Sequence, residues 1–391
     1  RLTERLRSMD HSKDHFRAVR YFPRTVGTPC LTVLDSLGRV IEADERALLR
    51  HVVQEGFGCD ILFVLSNAGE WSLISNEQRQ RLMQLAAGEV RALSAGLAMS
   101  GHAPLQVWLG VTGLTRKETL ENLRLAWELK ADAAVIAPLA MRDLGVRGDM
   151  LAFFQREVAS LFDTLGGALP LFLYDNAELP RDPGPSHIHT HDVKVLSRLP
   201  FLYGLLVSGS KREMGNYFRG ATHFKEKGQF GIYLGQAMMM FDIFLPGRGF
   251  WGRLKEHWDQ WLLQEHMPFG VIAGESNLLP CEWQAAWSLC LRGDRDTSAA
   301  YRNIFDRFAR AFTLLPKLAA ASQGGKSQFV ACCKAALKAD GVISSDAVAA
   351  GTPGLTPAGR EKFLEEYRAV KTHLKEVAPA GRLTRTPGAT R

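Results

Sequence analysis

The sequence predicts a (β/α)8 barrel with a C-terminal helical extension, and three observations carry that expectation. Apolar runs alternate with helix-period patterns from about residue 24 onward. The runs number eight, near residues 26, 62, 107, 135, 172, 205, 232 and 271. The span they cover, about 250 residues, is the usual length of such a barrel. The competing architecture, a doubly wound open sheet, wants a Gly-rich phosphate turn after an early strand. The stretch "LSNAGEW" does not supply G-x-G-x-x-G.

Each element has its own signal. An initial strand near "TVGTP" is followed by "DERALLRHVVQEG", which puts Leu48, Leu49, Val52 and Val53 on one helical face and stops at Gly56. "DILFVLS" reads as a buried strand. "SNEQRQRLMQLAAGEVRAL" begins with a capping box, Ser75 with Gln78, and "TRKETLENLRLAWELK" with another, Thr115 with Glu118. Between them "LQVWLGV" is a strand. "DAAVIAP" and "LPLFLYDN" are strands on either side of the helix "DMLAFFQREVASLFDTLG". The short helix "HDVKVLSRL" leads to the strand "LYGLLVS" and the helix "REMGNYFRGATHFKEKG". "FGIYLG" and "FGVIAG" complete the eight strands.

The remaining segments are additions to this frame. Between the last two strands, about 247–266, an inserted helix carries Trp251, Leu254, Trp258, Trp261 and Leu262 on one face. A stripe at that spacing reads as a packing face against the barrel or another subunit. The barrel is expected over 23–295, helices over 296–376 and a disordered tail over 377–391.

Charge and cysteine content exclude several function classes. The net charge is +7. Residues 1–22, a basic extension, hold six basic and three acidic side chains, and 377–391 hold three arginines and no acid. The ends therefore account for all but one unit of charge, and the body offers no basic face for nucleic acid. No run of 18 apolar residues exists to span a membrane, and the first residues have no secretory apolar core. The six cysteines include no C-x-x-C pair and read as reduced thiols of a cytoplasmic protein.

Several stretches together are similar to one family. They are "GTPCLTVLDSLGRVIEADERALLRHVVQEGFGCDILFVLSNAGEWSLIS" at 27–75, "LFLYDN" at 171–176, "FGVIAGESNLLP" at 269–280 and "LTPAGREKFLEEY" at 355–367. Their order and spacing resemble the dihydrodipicolinate synthase / N-acetylneuraminate lyase family over roughly residues 24–376. The resemblance implies a barrel with helical extension, usually assembled as a dimer of dimers. It also implies carbon–carbon lyase or aldol chemistry on a 2-oxo acid such as pyruvate, with no cofactor. In that chemistry a sixth-strand lysine forms a Schiff base, a fifth-strand tyrosine moves protons, and the loop after the second strand holds the substrate carboxylate. A lysine suits the task because a desolvated amine loses its proton near neutral pH.

Against the family's pattern the pocket is altered. Gly204 and Leu205 are followed by Leu206 where the lysine is expected, and a leucine cannot form an iminium. The carboxylate loop reads Ser66, Asn67, Ala68, Gly69 and Glu70, without the family's two hydroxyls, though the Asn67 amide is a hydrogen-bonding group. Leu139 and Ala140 stand where aromatic residues are expected. Glu178 and Leu179 stand near an expected arginine, the nearest being Arg181. Tyr174 alone remains of the catalytic set.

Two further features bear on mechanism. Lys211 lies five residues past Leu206 and is either a displaced nucleophile or a solvated, anion-binding lysine in the first turn of a helix. His187, His189 and His191 alternate in "SHIHTHD" and share a face if extended, which makes them a weak metal candidate. The alternative is a surface loop in which Thr190 or His191 caps the next helix. The expected ligand-lining residues are Asn67, Ala68, Gly69, Tyr174, Asp175, Lys211 and Asn277, around a small 2-oxo acid or other anion. Three functions stay open: a lyase of that lineage, a catalytically silent binding or scaffolding barrel, and altered chemistry through Lys211 or a metal.

Overall fold

In the computed structural model the described residues are 23–144, 147–176, 178–179, 185–221, 230–245, 268–319 and 328–377. The tryptophan-bearing insertion at 247–266, the basic N-terminal extension and the tail from residue 378 lie outside them.

Eight parallel strands close into a barrel in sequence order. They are β1 (Val26–Pro29), β2 (Ile61–Val64), β3 (Gln106–Gly110), β4 (Ala133–Ile136), β5 (Leu171–Asn176), β6 (Leu202–Ser208), β7 (Gly231–Leu234) and β8 (Gly270–Ile272). All eight coincide with the apolar runs of the sequence. Strands buried on both faces are apolar almost throughout, and that makes them visible. The helices between them are α1 (Glu42–Val53), α2 (Asn76–Met99), α3 (Arg116–Glu128), α4 (Arg147–Ala152), α5 (Ala159–Leu165), α6 (Thr190–Leu196), α7 (Lys211–Ala221) and α8 (Met239–Phe244). After β8 come α9 (Pro280–Arg292), α10 (Arg295–Ala319), α11 (Phe329–Ala339) and α12 (Pro357–Val377).

Local chemistry sets the helix starts. Ser75 Oγ accepts from Gln78 N at 3.3 Å and Thr115 Oγ1 from Glu118 N at 3.2 Å, so both expected capping residues cap. At α6 the N-cap is His189, whose side chain makes no capping bond, rather than Thr190 or His191. One expected helix, "DMLAFFQREVASLFDTLG", is split: a π-helical turn, Phe153–Val158, joins α4 to α5. Among the described residues no helix is long and apolar enough to cross a membrane.

The barrel interior is a separate apolar cluster of Ile61, Phe63, Trp108, Ala133, Val135, Phe172, Leu206, Tyr233 and Ile272. Trp108 stacks on Phe172 with ring centroids 4.3 Å apart, and Tyr233 meets Trp108 edge-on at 4.9 Å. Glycines make room for these rings. A Cβ on Gly204 would lie 2.6 Å from the Phe172 ring, and one on Gly231 2.4 Å from Phe269. The interior is thus a packed core filled by aromatic and aliphatic side chains.

Candidate active site at the barrel mouth

The register of β5 and β6 builds the site. Tyr174 pairs with Leu206, and Leu206 with Tyr233 on the other side. Leu206 is 1% exposed and faces inward among the interior aromatics. Tyr174, half-buried, stands at its side, with its ring edge-on to Phe63 at 5.8 Å. Strand alternation then points Asn176 and Ser208, two residues further on, the same way.

These residues form a chain of polar contacts across the mouth. Asn176 Nδ2 donates to the Tyr174 hydroxyl at 3.1 Å. The Ser208 hydroxyl is a second hydrogen-bond partner of that hydroxyl. Asn176 Oδ1 accepts from Glu178 N at 2.9 Å, and Asn67 Nδ2 donates to Glu178 Oε2 at 2.9 Å. Burial raises the pKa of Tyr174, and the carboxylates of Glu178 and Asp175 push it further the same way, against the two hydrogen bonds. The phenol is therefore a neutral donor–acceptor at physiological pH.

The loop that carries Asn67 is a tight turn. Gly69 N donates to Ser66 O at 3.0 Å and Glu70 N to Asn67 O at 3.0 Å. Thr32 Oγ1 donates to Gly69 O at 2.7 Å. A Cβ on Gly69 would sit 2.9 Å from Cys30 O, so this position requires glycine. Ala68 lies half-buried against the hydrophobic core. Glu70, at φ 55° and 4% exposed, closes the loop from behind.

Glu70 ties the mouth to the C-terminal helices. Its Oε2 accepts from Lys334 Nζ of α11 at 2.5 Å, and its Oε1 from Ala349 N at 2.8 Å and Thr352 Oγ1 at 2.6 Å. Lys334 is 0% exposed and also donates to Ala347 O at 2.8 Å. Desolvation lowers the Lys334 pKa, and the Glu70 carboxylate acts against that. A second carboxyl, Glu45 of α1, lies close by and accepts from Val33 N at 2.5 Å. Burial raises its pKa to about 8.

Three expected ligand-lining residues are engaged elsewhere. Asn277 is fully buried and clamps the β8 loop to β1. Its Nδ2 donates to Pro29 O at 2.9 Å and Gly274 O at 2.8 Å, and its Oδ1 accepts from Leu31 N. Asp175 alternates away from Tyr174 into the helix layer. There it accepts from Ile188 N at 3.0 Å and Tyr217 Oη at 2.8 Å, with His187 Nδ1 at 2.9 Å. Lys211 Nζ lies 2.9 Å from Asp242 Oδ2 of α8, which also binds Arg302 at 2.8 Å.

The histidine loop does not gather three imidazoles. His187 is held by Asp175, whereas His189 and His191 are exposed. Among the described residues no group of three or more His, Cys, Asp or Glu is placed to hold a metal ion. All six cysteines are free, and burial pushes Cys59, Cys281 and Cys332 up to about 12 and Cys30 and Cys333 well above the usual thiol value. None offers a thiolate at neutral pH. A cleft of about 510 Å³ lies on the outer helix layer, lined by Arg116, Arg124, Asp143 and Glu157. Arg116 pairs there with Glu157 at 2.9 Å, and none of the residues lining the cleft belongs to the mouth.

Sequence reasoning did not single out Asn176, Ser208 or Glu178 as site residues. The first two follow from the period of two that already places Tyr174 and Leu206 inward. Glu178 follows from nothing local, because its partner Asn67 is 111 residues away.

The fold is that of the solved dihydrodipicolinate synthase and N-acetylneuraminate lyase structures. A dihydrodipicolinate synthase from Bacteroides thetaiotaomicron is 17% identical with a TM-score of 0.68, over 88% of this chain and 98% of that one. YagE, a prophage protein of the dihydrodipicolinic acid synthase family from E. coli K12 solved with pyruvate, is 18% identical with a TM-score of 0.66, over 89% and 98%. An N-acetylneuraminate lyase from Aliivibrio salmonicida is 16% identical with a TM-score of 0.65, over 88% and 96%. No family model matches the sequence, and no curated protein matches it.

Proposed function

We propose that this chain is a divergent member of the dihydrodipicolinate synthase / N-acetylneuraminate lyase lineage that binds a small polar ligand at its barrel mouth without Schiff-base chemistry. The observation that carries the reading is Leu206. It is inward-facing, 1% exposed and in register with Tyr174, at the place where the resemblance calls for the nucleophilic lysine. Iminium formation needs a neutral amine held against a carbonyl carbon, and that held geometry supplies its effective molarity. Lys211, the nearest lysine in sequence beyond β6, pairs with Asp242 on the helix layer. The residues at the mouth are suited to hydrogen bonding: a neutral phenol, two amides, a hydroxyl and one carboxylate. The lineage favours a homo-oligomer, dimer or tetramer, and the six free cysteines favour the cytoplasm.

Incubation with pyruvate and borohydride, followed by mass spectrometry of the intact protein, tests this. The expected result is no adduct. A borohydride-stable adduct mapped to Lys211 would show a migrated nucleophile and restore lyase chemistry as the leading function.

A further inference from the structure

The resemblance brings with it a 2-oxo acid, and the mouth bears a charge of the wrong sign for one. Glu178 is fixed there from two directions. Its backbone N–H is held by Asn176 Oδ1, a turn closed two residues past the end of β5. Its Oε2 accepts from Asn67 Nδ2 of the β2 loop. The carboxylate thus bridges two loops on the rim beside the Tyr174 hydroxyl, whose pKa it raises.

The Asn67 bond has a second consequence. The amide that the sequence offers for gripping a substrate carboxylate donates instead to a carboxylate of the protein. Among the described residues that line the mouth, Asn67, Ala68, Tyr174, Asn176, Glu178 and Ser208, none is basic. The one formal charge among them is the Glu178 carboxylate, and Glu178 Oε1 and Asn67 Oδ1 retain lone pairs beyond the bonds described.

We infer that Glu178 is the specificity-determining residue of the mouth: it rejects carboxylate ligands and selects a small molecule that presents hydrogen-bond donors, hydroxyl or ammonium groups, to its carboxylate. The inference rests on the reading of the mouth as a ligand site. Its physical basis is Coulombic. Two like charges a few ångströms apart near a protein surface repel by enough to change affinity tenfold or more, and donors to an ionised acceptor gain correspondingly.

Calorimetric titration of the wild-type protein and the Glu178→Gln variant at pH 7 decides the matter. The probes are pyruvate, ethanolamine and glycerol. Gln preserves the size of the side chain and its acceptor for Asn67 and removes only the charge, and Glu178 is exposed, so folding is not at stake. Wild-type protein should bind ethanolamine or glycerol more tightly than pyruvate. The variant should bind pyruvate about tenfold more tightly and ethanolamine about tenfold more weakly than wild type, with glycerol changed least. Ethanolamine preferred over glycerol by the wild type identifies the ammonium arm, and the reverse the hydroxyl arm. Pyruvate bound no better by the variant, or no probe bound by either protein, overturns the inference. A lysine adduct in the borohydride experiment would instead sink the Schiff-base-free reading while leaving the tenfold ratios to be measured, so the two failures are separable.

Discussion

Around Leu206 the barrel interior is hydrocarbon and aromatic ring, whereas a few residues behind the mouth the protein fully buries an ammonium. Lys334 is 0% exposed, as is expected of no lysine without partners. It has two acceptors in reach: Glu70 Oε2 at 2.5 Å and Ala347 O at 2.8 Å. Leu206 has Tyr174 and Tyr233 as strand neighbours, and among the described residues its cluster is made of apolar and aromatic side chains. The chain can therefore bury a lysine, but it does so where the Glu70 carboxylate compensates the desolvation. The difference teaches that the apolar β6 is consistent around its leucine: an amine there needs a changed neighbourhood as well as a changed residue.

The largest effect expected on this contrast is that of Leu206→Lys. An ammonium placed among Phe63, Phe172 and Tyr233 loses its hydration, so the folded state should hold the amine neutral. At pH 7 the proton that the unfolded chain binds near 10.4 must be given up, which costs about 4–5 kcal/mol. The folded pKa lies below the unfolded one, so the lost stability returns as pH rises toward 10. Urea unfolding at pH 7 and pH 9.5 measures both. A variant as stable as wild type at pH 7 would mean that water or a counter-charge reaches position 206, and the interior would not be the dry half of the comparison. Pyruvate trapping by this variant should be weak at most, because the carboxylate grip stays altered.

Lys334→Met probes the other half. Met keeps the length of the stem and removes the charge. Glu70 would retain Ala349 N and Thr352 Oγ1 as donors but lose its ion pair inside the protein. Breaking a buried pair from one side costs about 3–4 kcal/mol. Adding Glu70→Gln should recover part of that loss, so that the double variant is destabilised by less than the sum of the singles. Additive losses would show that the two side chains do not act as a pair.

How much of this was legible in sequence follows from the range of the forces involved. The eight strands were readable because burial of both faces makes each a run of apolar residues, and the capped starts of α2 and α3 because their signals lie within four residues. Leu206 and Tyr174 were readable once the strand period was known. Pairings between distant segments were not. Nothing near Lys334 marks it as buried, since its partner Glu70 is 264 residues away. Asn277 reads as a ligand-facing amide at a strand end, and only the approach of Pro29 and Leu31 reveals it as a clamp. Asp175 follows Tyr174 directly, and alternation alone argues that it faces the helices, where Tyr217 and His187 meet it. The π-helical turn in the helix after β4 has no local sequence signal, and Phe153 and Phe154 lie buried within it.

The smallest of the three effects concerns Glu45, and it sharpens what compensation means at the junction. Its carboxyl is 3% exposed. Burial is the largest cause of its raised pKa, opposed by the Val33 N–H and by the Lys334 charge, with Asp44 adding to the rise. Lys334 is already bonded to Glu70, so one cation serves two buried carboxyls and the second is held neutral. With a folded pKa of about 8, against an ordinary value near 4.5, the native state binds a proton that the unfolded state has released. Stability from this group is therefore fully present at acid pH, below the unfolded value, and declines as pH rises through about 8. Between pH 5.5 and 7 the decline should amount to about 2 kcal/mol, at 1.36 kcal/mol per unit. Glu45→Gln keeps an oxygen for Val33 N and cannot ionise. Its unfolding free energy should lack this decline, so that the wild-type and variant curves converge at low pH and separate as pH rises, with the variant the more stable above neutrality. Chemical denaturation at quarter-unit steps reads the separation. Parallel curves across that window would mean that Glu45 is ionised in the folded protein, that Lys334 compensates both carboxylates at once, and that the junction carries more buried charge than a single ion pair.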